Sequence, residues 1–72
     1  MLLQIAEEID RSLARAEEAR QRALRETDER LTTEWLEIEK RWLRIADSLR
    51  FVEQANRFLD DAAAAVSKGH AP

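Results

Sequence analysis

Serine hydroxyls and a histidine imidazole are the groups of this chain that could form a nucleophilic catalytic site. A serine becomes nucleophilic when a neighbouring base, usually a histidine, takes its proton. The single histidine, His70, lies in residues 69–72, which we expect to form a disordered tail. It is therefore not placed to activate any of the three serines, Ser12, Ser48 and Ser67. The sequence predicts that the protein is not an enzyme.

Carboxylates are numerous, but their spacing does not form a metal site. The di-metal centres of four-helix bundles use Glu-x-x-His pairs, and the chain contains none. It has no cysteine, so thiolate sites and disulfides are excluded. Glu34, Glu37 and Glu39 would point to different sides of a helix and are typical of a solvated surface. We expect neither a metal nor a cofactor.

Arginine supplies ten of the twelve basic residues, which raises the possibility of phosphate contacts. A nucleic-acid interface would use the arginines along the first half of the chain, Arg11, Arg15, Arg22 and Arg25. Acidic residues interrupt that strip, and no aromatic residues alternate with it. Charged residues are 38% of the chain, but the net charge is only −3. Nucleic-acid association through these arginines is the last of three functional alternatives.

The length and composition limit the chain to one small domain. At 72 residues, a single core rarely supplies more than about 3 to 5 kcal/mol of net stability without a disulfide, a bound metal or a partner chain. No apolar run approaches the roughly 20 residues that span a bilayer. The start carries Glu7, Glu8 and Asp10, unlike a secretory signal. We expect a cytoplasmic protein that does not enter the membrane.

A stripe of apolar residues at alternating four- and three-residue steps dominates the second half of the chain. Such spacing places side chains on one face of an α-helix. Ten of its eleven members are apolar: Leu31, Trp35, Ile38, Trp42, Ile45, Leu49, Val52, Asn56, Leu59, Ala63 and Val66. The pattern predicts a long helix that buries one side against other helices.

The first half has its own stripe, Leu2, Ala6, Ile9, Leu13, Ala16, Arg20, Ala23 and Thr27. Its phase does not continue into the stripe that begins at Leu31, so a straight helix would unwind locally between them. Thr27 or Asp28 could cap a second helix. We therefore predict an all-α, antiparallel two-helix hairpin, with helices at about 2–27 and 29–67 in a domain of residues 1–68. One long helix in a coiled coil is the alternative.

Folding at about residue 29 places position i opposite position 58 minus i. Small residues of helix 1 then face large residues of helix 2, as close packing requires. The predicted pairs are Ala23 with Trp35, Ala16 with Trp42, Leu13 with Ile45, Ile9 with Leu49, and Ala6 with Val52. Helix 2 should extend beyond helix 1 by roughly ten residues, or about 15 Å.

A two-helix hairpin has no interior, so apolar residues beside the contact between its helices stay exposed to solvent unless another layer of structure covers them. Leu36, Leu43, Phe51, Phe58 and Leu59 are such residues. We expect two copies to pair by twofold symmetry into a four-helix bundle, the commonest closed arrangement. The polar seam residue, Asn56, would either fix the register as a buried amide or lie in water near the open end.

The stretch Glu26-Thr27-Asp28-Glu29, followed by Glu34-Trp35-Leu36 and continuing through Trp42-Leu43-Arg44-Ile45-Ala46-Asp47-Ser48, resembles a group of short uncharacterised helical proteins from alphaproteobacteria. Those proteins carry a Thr-Asp-Pro-Glu turn and a second helix rich in tryptophan and leucine. The resemblance covers about half of the chain. Here Glu29 stands where the group has proline. The resemblance implies a helical hairpin and no particular activity.

Two further functional classes come before nucleic-acid association. The first is an interaction protein that forms a symmetric bundle, a homodimer, with itself as partner. The second is a small regulator or adaptor that binds the helices of another protein through the apolar face of helix 2. Both use the same core and interface residues, Leu31, Trp35, Ile38, Trp42, Ile45, Leu49, Phe51, Val52, Asn56, Phe58 and Leu59.

Overall fold

The protein, seen in a computed structural model, is an antiparallel pair of α-helices. Helix α1 spans Leu2–Arg25 and helix α2 spans Glu29–Gly69. The structure describes the backbone of residues 2–69 and the side chains of residues 4–66. The described part measures 69 × 16 × 12 Å. The predicted all-α hairpin is confirmed, and the chain does not adopt the single straight helix.

The connection between the helices is short and held by carboxylates. The Asp28 side chain accepts hydrogen bonds from the backbone N–H groups of Arg30 at 2.8 Å and Leu31 at 3.4 Å. It thereby satisfies two of the N–H groups that the first turn of a helix leaves without partners. The Glu26 carboxylate accepts from the N–H groups of Thr27 and Asp28. Within residues 2–69 no residue has a positive φ, so the reversal needs no glycine.

Helix α1 faces α2 mainly through small residues. Its buried side chains are Ile9, Ser12, Ala16, Ala19 and Ala23, which follow one another in three- and four-residue steps. The predicted stripe was correct at Ile9, Ala16 and Ala23. Arg20, the charged member of the stripe, is exposed, and Leu13 is half-buried. Their small neighbours Ser12 and Ala19 are the buried residues at these points of the helix.

The side of α2 that faces α1 centres on Ala46, which is fully buried. Trp35, Trp42 and Leu49 lie on the same side and are half-buried. Ile45 and Val52, by contrast, are 43% and 44% exposed. The predicted pairs of Leu13 with Ile45 and Ala6 with Val52 are therefore not at the centre of the contact, where Ser12 and Ala46 are the buried residues.

The register of the hairpin agrees with the predicted pairing rule. Under that rule Ser12 lies opposite Ala46, and both are buried. Arg22 lies over Trp35, one position from the predicted partner Ala23. Ser12 and Ala46 are small buried residues at the middle of the seam, and small side chains favour close packing of two helices.

Helix α2 extends well beyond the start of α1. The pairing rule places Leu2, the first residue of α1, opposite Asn56, so residues 57–69 extend past α1 by about 20 Å at 1.5 Å per residue. Every side chain of residues 57–66 is exposed. We call residues 57–69 the overhang. It is somewhat longer than predicted, since α2 ends at Gly69. The remainder of the predicted tail, residues 70–72, lies outside the described residues.

Candidate interaction surface

The two tryptophans are held between the helices near the turn. Trp35 and Trp42 line a recess of about 230 Å³ together with Ile38 of α2 and residues of α1, Arg15, Glu18, Ala19 and Arg22. The guanidinium carbon of Arg22 lies 4.9 Å from the centroid of the Trp35 ring, a cation–π geometry. The indoles are thus partly covered within a single chain, and the residues of α1 that line the recess do not include the predicted partners Ala16 and Ala23.

Two of the four arginines proposed for nucleic-acid contact are engaged within α1. Arg11 pairs with Glu8 at 3.1 Å, and Arg22 pairs with Glu18 at 3.2 Å while it covers Trp35. These acidic neighbours lower the positive potential of the strip, which weakens the case for phosphate binding.

Ion pairs one turn apart cover much of the polar surface. Glu18 pairs with Arg22 and Glu53 pairs with Arg57, each with the acidic residue four positions before the basic one. Arg30 pairs with Glu34 at 4.0 Å instead of with Glu26, whose carboxylate holds the turn. These side chains are mostly exposed, so each pair adds at most a few tenths of a kcal/mol. Polar pairing does not hold the hairpin together.

The open end of the hairpin carries a second recess, of about 330 Å³. It is lined by Gln4, Ile5 and Glu8 of α1 and by Leu49 and Asn56 of α2. Asn56 is half-buried on the side of its own α1. Within residues 4–66 no buried side-chain nitrogen or oxygen lacks a hydrogen-bond partner. A role for the Asn56 amide in fixing a register between copies stays a prediction.

Large apolar side chains remain in solvent, and almost all of them belong to α2. Among residues 4–66, eight of the nine large exposed apolar side chains lie on this helix, and the ninth is Leu24 of α1. Phe51 and Phe58 are each 72% exposed, and Leu59 is 62% exposed. The remaining five are Leu36, Leu43, Ile45, Val52 and Val66. Helix α2 is therefore the candidate interaction surface.

The predicted interface residues fall into two groups. Six of them are half-buried: Leu31, Trp35, Ile38, Trp42, Leu49 and Asn56. The other five are exposed: Ile45, Phe51, Val52, Phe58 and Leu59. Helix α2 thus has one set of residues that pack against α1 of the same chain and a second set of apolar residues that remain exposed to solvent.

Most of the exposed apolar residues near the C-terminal end share a face that points away from α1. At 100° per residue, this face lies about 170° around α2 from Ala46. We call it the outward stripe, and it consists of Phe51, Val52, Ala55, Phe58, Leu59, Ala62, Ala65 and Val66. All of these side chains are exposed except Ala55, which is half-buried. Ala55 was not among the residues predicted from the sequence, although the four- and three-residue steps from Phe51 through Ala55 and Phe58 to Ala62 include it.

The same outward side of α2 is charged closer to the turn. Glu37, Lys40 and Arg44 are exposed there, and Lys40 pairs with Glu37 at 3.7 Å. In the overhang the polarity is reversed, because Arg57 and Asp60 lie on the side that faces α1 earlier in the helix. The apolar face of α2 thus changes sides near residue 50.

The described residues contain no group of three or more His, Asp or Glu side chains placed to hold a metal ion. None of the helical stretches that the structure describes is long and apolar enough to span a bilayer. Comparisons with models of protein families, with curated proteins and with solved structures gave no match to this chain.

Proposed function

We propose that the protein is a non-enzymatic interaction protein that associates with its own copies through α2 to form a symmetric helical assembly. The observation that carries this proposal is the set of large apolar side chains that α2 leaves in solvent. Monomeric proteins seldom expose large contiguous apolar patches, and such patches mark interaction sites. A four-helix bundle of two hairpins is the form expected from the sequence.

The energetics support association. Fully burying one large apolar side chain stabilises by about 1.5 to 3 kcal/mol. Phe51 and Phe58 are still 72% exposed in the hairpin, so most of that stabilisation is not realised in a single chain. Burial of both rings would match the roughly 3 to 5 kcal/mol that a core of this size supplies alone. A second copy would thus contribute as much as the hairpin itself.

The distribution of residues around α2 also supports the proposal. In α1 polar and apolar residues are cleanly segregated, whereas in α2 apolar residues occur on several sides. A helix that is apolar on several sides is typical of one packed against several neighbours. Here α1 covers only one of those sides.

Molecular mass in solution tests the proposal. Light scattering after size exclusion, at about 1 to 100 µM chain, should give twice the chain mass at the upper end. A dimer with micromolar affinity, which corresponds to about 8 kcal/mol, is mostly assembled at that concentration. The structure also suggests a readout of burial, since dimer formation should reduce the accessibility of the Phe58 region to hydrogen exchange. A chain that stays monomeric and folded over the whole range would refute self-association.

A second candidate function is that of an adaptor, which would place the same residues in the groove of another helical protein. The exposed overhang favours it, because a single amphipathic helix is the form in which many partners are recognised. A folded monomer in the sizing experiment would favour the adaptor over the symmetric assembly. The cytoplasmic location, the lack of enzymatic activity and the resemblance to short alphaproteobacterial proteins stay predictions.

A further inference from the structure

We propose that two copies meet through the outward stripe, with residues 51–66 of one α2 packed antiparallel against residues 51–66 of the other. This inference rests on the proposed self-association and specifies its geometry. The contact would overlap the C-terminal thirds of the two α2 helices and leave the two hairpin bodies at opposite ends. It differs from a side-by-side bundle that uses Ile45, Leu36 or Leu43 along the hairpins.

The order of residues in the outward stripe is self-complementary. Its eight apolar positions are arranged symmetrically about the midpoint between Phe58 and Leu59. A reversed copy therefore places every apolar position against another one. The resulting pairs are Phe51 with Val66, Val52 with Ala65, Ala55 with Ala62, and Phe58 with Leu59. A twofold axis through the midpoint of the contact generates this arrangement, as an isologous interface requires.

The small residues of the stripe allow close approach of the helices. Ala55 and Ala62 have short side chains on either side of the central Phe58 and Leu59. In an antiparallel pair they would lie opposite each other, and the central rings would fill the space between the two alanine contacts. The seam within one chain also buries small residues, among them Ser12, Ala19 and Ala46.

Charge disfavours the parallel alternative. Two α2 helices packed in parallel through this face would continue in contact toward the turn, where the outward side is charged. Equal positions would then meet, so that Glu37 would face Glu37 and Arg44 would face Arg44, which is destabilising. In the antiparallel arrangement Phe51 lies opposite Val66, and the partner's α2 ends at Gly69. Arg44 would therefore not meet the partner's Arg44 in this arrangement.

The exposed area is sufficient for a modest dimer. Phe51 and Phe58 at 72% exposure, with Leu59 at 62% and Val66 at 59%, leave much of their surface in solvent. With aromatic side chains able to bury about 150 to 250 Å² each, the two stripes together would bury on the order of 1,000 Å². That value lies near the lower limit for specific interfaces, about 1,200 Å², so we expect a micromolar rather than a nanomolar dimer.

Disulfide trapping tests the orientation directly, because the chain has no native cysteine. A tagged Ala55→Cys chain is mixed with an untagged Ala62→Cys chain and oxidised gently. The antiparallel contact predicts a mixed disulfide between the two chains and little disulfide within either population, since equal positions would be about 10 Å apart along the axis. Gln54→Cys, which lies off the stripe, is the control and should cross-link with neither.

The outcomes separate this inference from the proposed function. Abundant disulfide between two Ala55→Cys chains would indicate a parallel contact and overturn the inference. A dimer by light scattering in which neither cysteine cross-links would retain self-association but overturn the contact through the stripe. A monomer in every experiment would refute the proposed function and the inference together.

A second pair of variants tests the same contact without cross-linking. Phe58→Gln removes a ring from the centre of the stripe twice per dimer, and we expect the dissociation constant to rise at least about a hundredfold. The neighbouring Arg57→Gln introduces the same residue on the opposite side of α2 and should change that constant less than about threefold. Equal effects of the two variants would contradict the inference. Retained helicity of the monomeric Phe58→Gln chain would show that it still folds.

Discussion

Replacement of Asp28 by alanine should weaken the hairpin at the point where the chain reverses. The Asp28 carboxylate accepts the N–H groups of Arg30 and Leu31, and the helix itself cannot supply acceptors for them. Alanine offers no acceptor, so both groups would depend on water. The substitution also removes a negative charge from the positive end of the α2 dipole.

The expected loss can be bounded from these contacts. Removing an N-cap side chain costs about 0.5 to 2 kcal/mol, typically about 1 kcal/mol. For a domain of this size, 1 kcal/mol lowers the melting temperature by about 4 to 8 °C. Asp28→Asn keeps the acceptor and loses only the charge, so its cost should stay within about 0.3 to 1 kcal/mol. Thr27→Ala should cost less than about 0.5 kcal/mol, because Thr27 is exposed and takes part in the turn through its backbone N–H.

Thermal unfolding followed by far-ultraviolet circular dichroism measures this series. All variants are compared at one protein concentration, because association would couple stability to concentration. The expected order of destabilisation is Asp28→Ala, then Asp28→Asn, then Thr27→Ala. If Thr27→Ala costs as much as Asp28→Ala, the cap is misassigned and the account of the turn fails.

Two further variants test the seam. Ala46→Leu should destabilise the fold by about 1 to 3 kcal/mol through overpacking, because Ala46 is fully buried. Ala64→Leu on the exposed overhang should be nearly neutral. Urea unfolding compares the two variants, and a neutral Ala46→Leu would contradict the observed seam. Arg22→Ala should lower the stability by about 0.5 to 1 kcal/mol and alter the tryptophan fluorescence, since Arg22 covers Trp35. Arg11→Ala, which removes an arginine paired with Glu8, should leave the fluorescence unchanged. Equal spectra for the two variants would argue against the cation–π contact.

The features that the sequence predicted well depend on long-range pattern. A phase break between two apolar stripes indicated the reversal, and the side-chain carboxylate of Asp28 made a short connection possible without glycine. The register followed from matching small residues of the first half with the two tryptophans. These patterns are reliable because many residues contribute to each of them. In a fold of only two helices, few tertiary contacts can change the structure that the patterns predict.

The sequence predicted less well which of two adjacent residues faces the partner helix. Ile45 and Ala46 are neighbours, and a rule that favours large apolar residues selects Ile45, whereas the fully buried residue is Ala46. In α1 the same rule selected Leu13 over Ser12, although the Ser12 hydroxyl can be buried because it donates to the Glu8 carbonyl at 2.9 Å. When two helices pack closely, small residues occupy the centre of the seam, and larger ones lie at its edges. Apolar character alone does not reveal this distinction.

The change of sides near residue 50 explains how one helix could serve two contacts. Before that point α2 buries one side against α1 and shows charged residues such as Arg44 to solvent. After it, Arg57 and Asp60 occupy the side that faced α1, and Phe51 and Phe58 occupy the outward side. If the overhang merely continued the hairpin seam, Arg57 and Asp60 would lie in that seam and oppose it. The polarity therefore favours a contact on the opposite side of α2, separate from the hairpin seam, because the large apolar side chains of the overhang, Phe58 and Leu59, do not continue the side that carries Ala46.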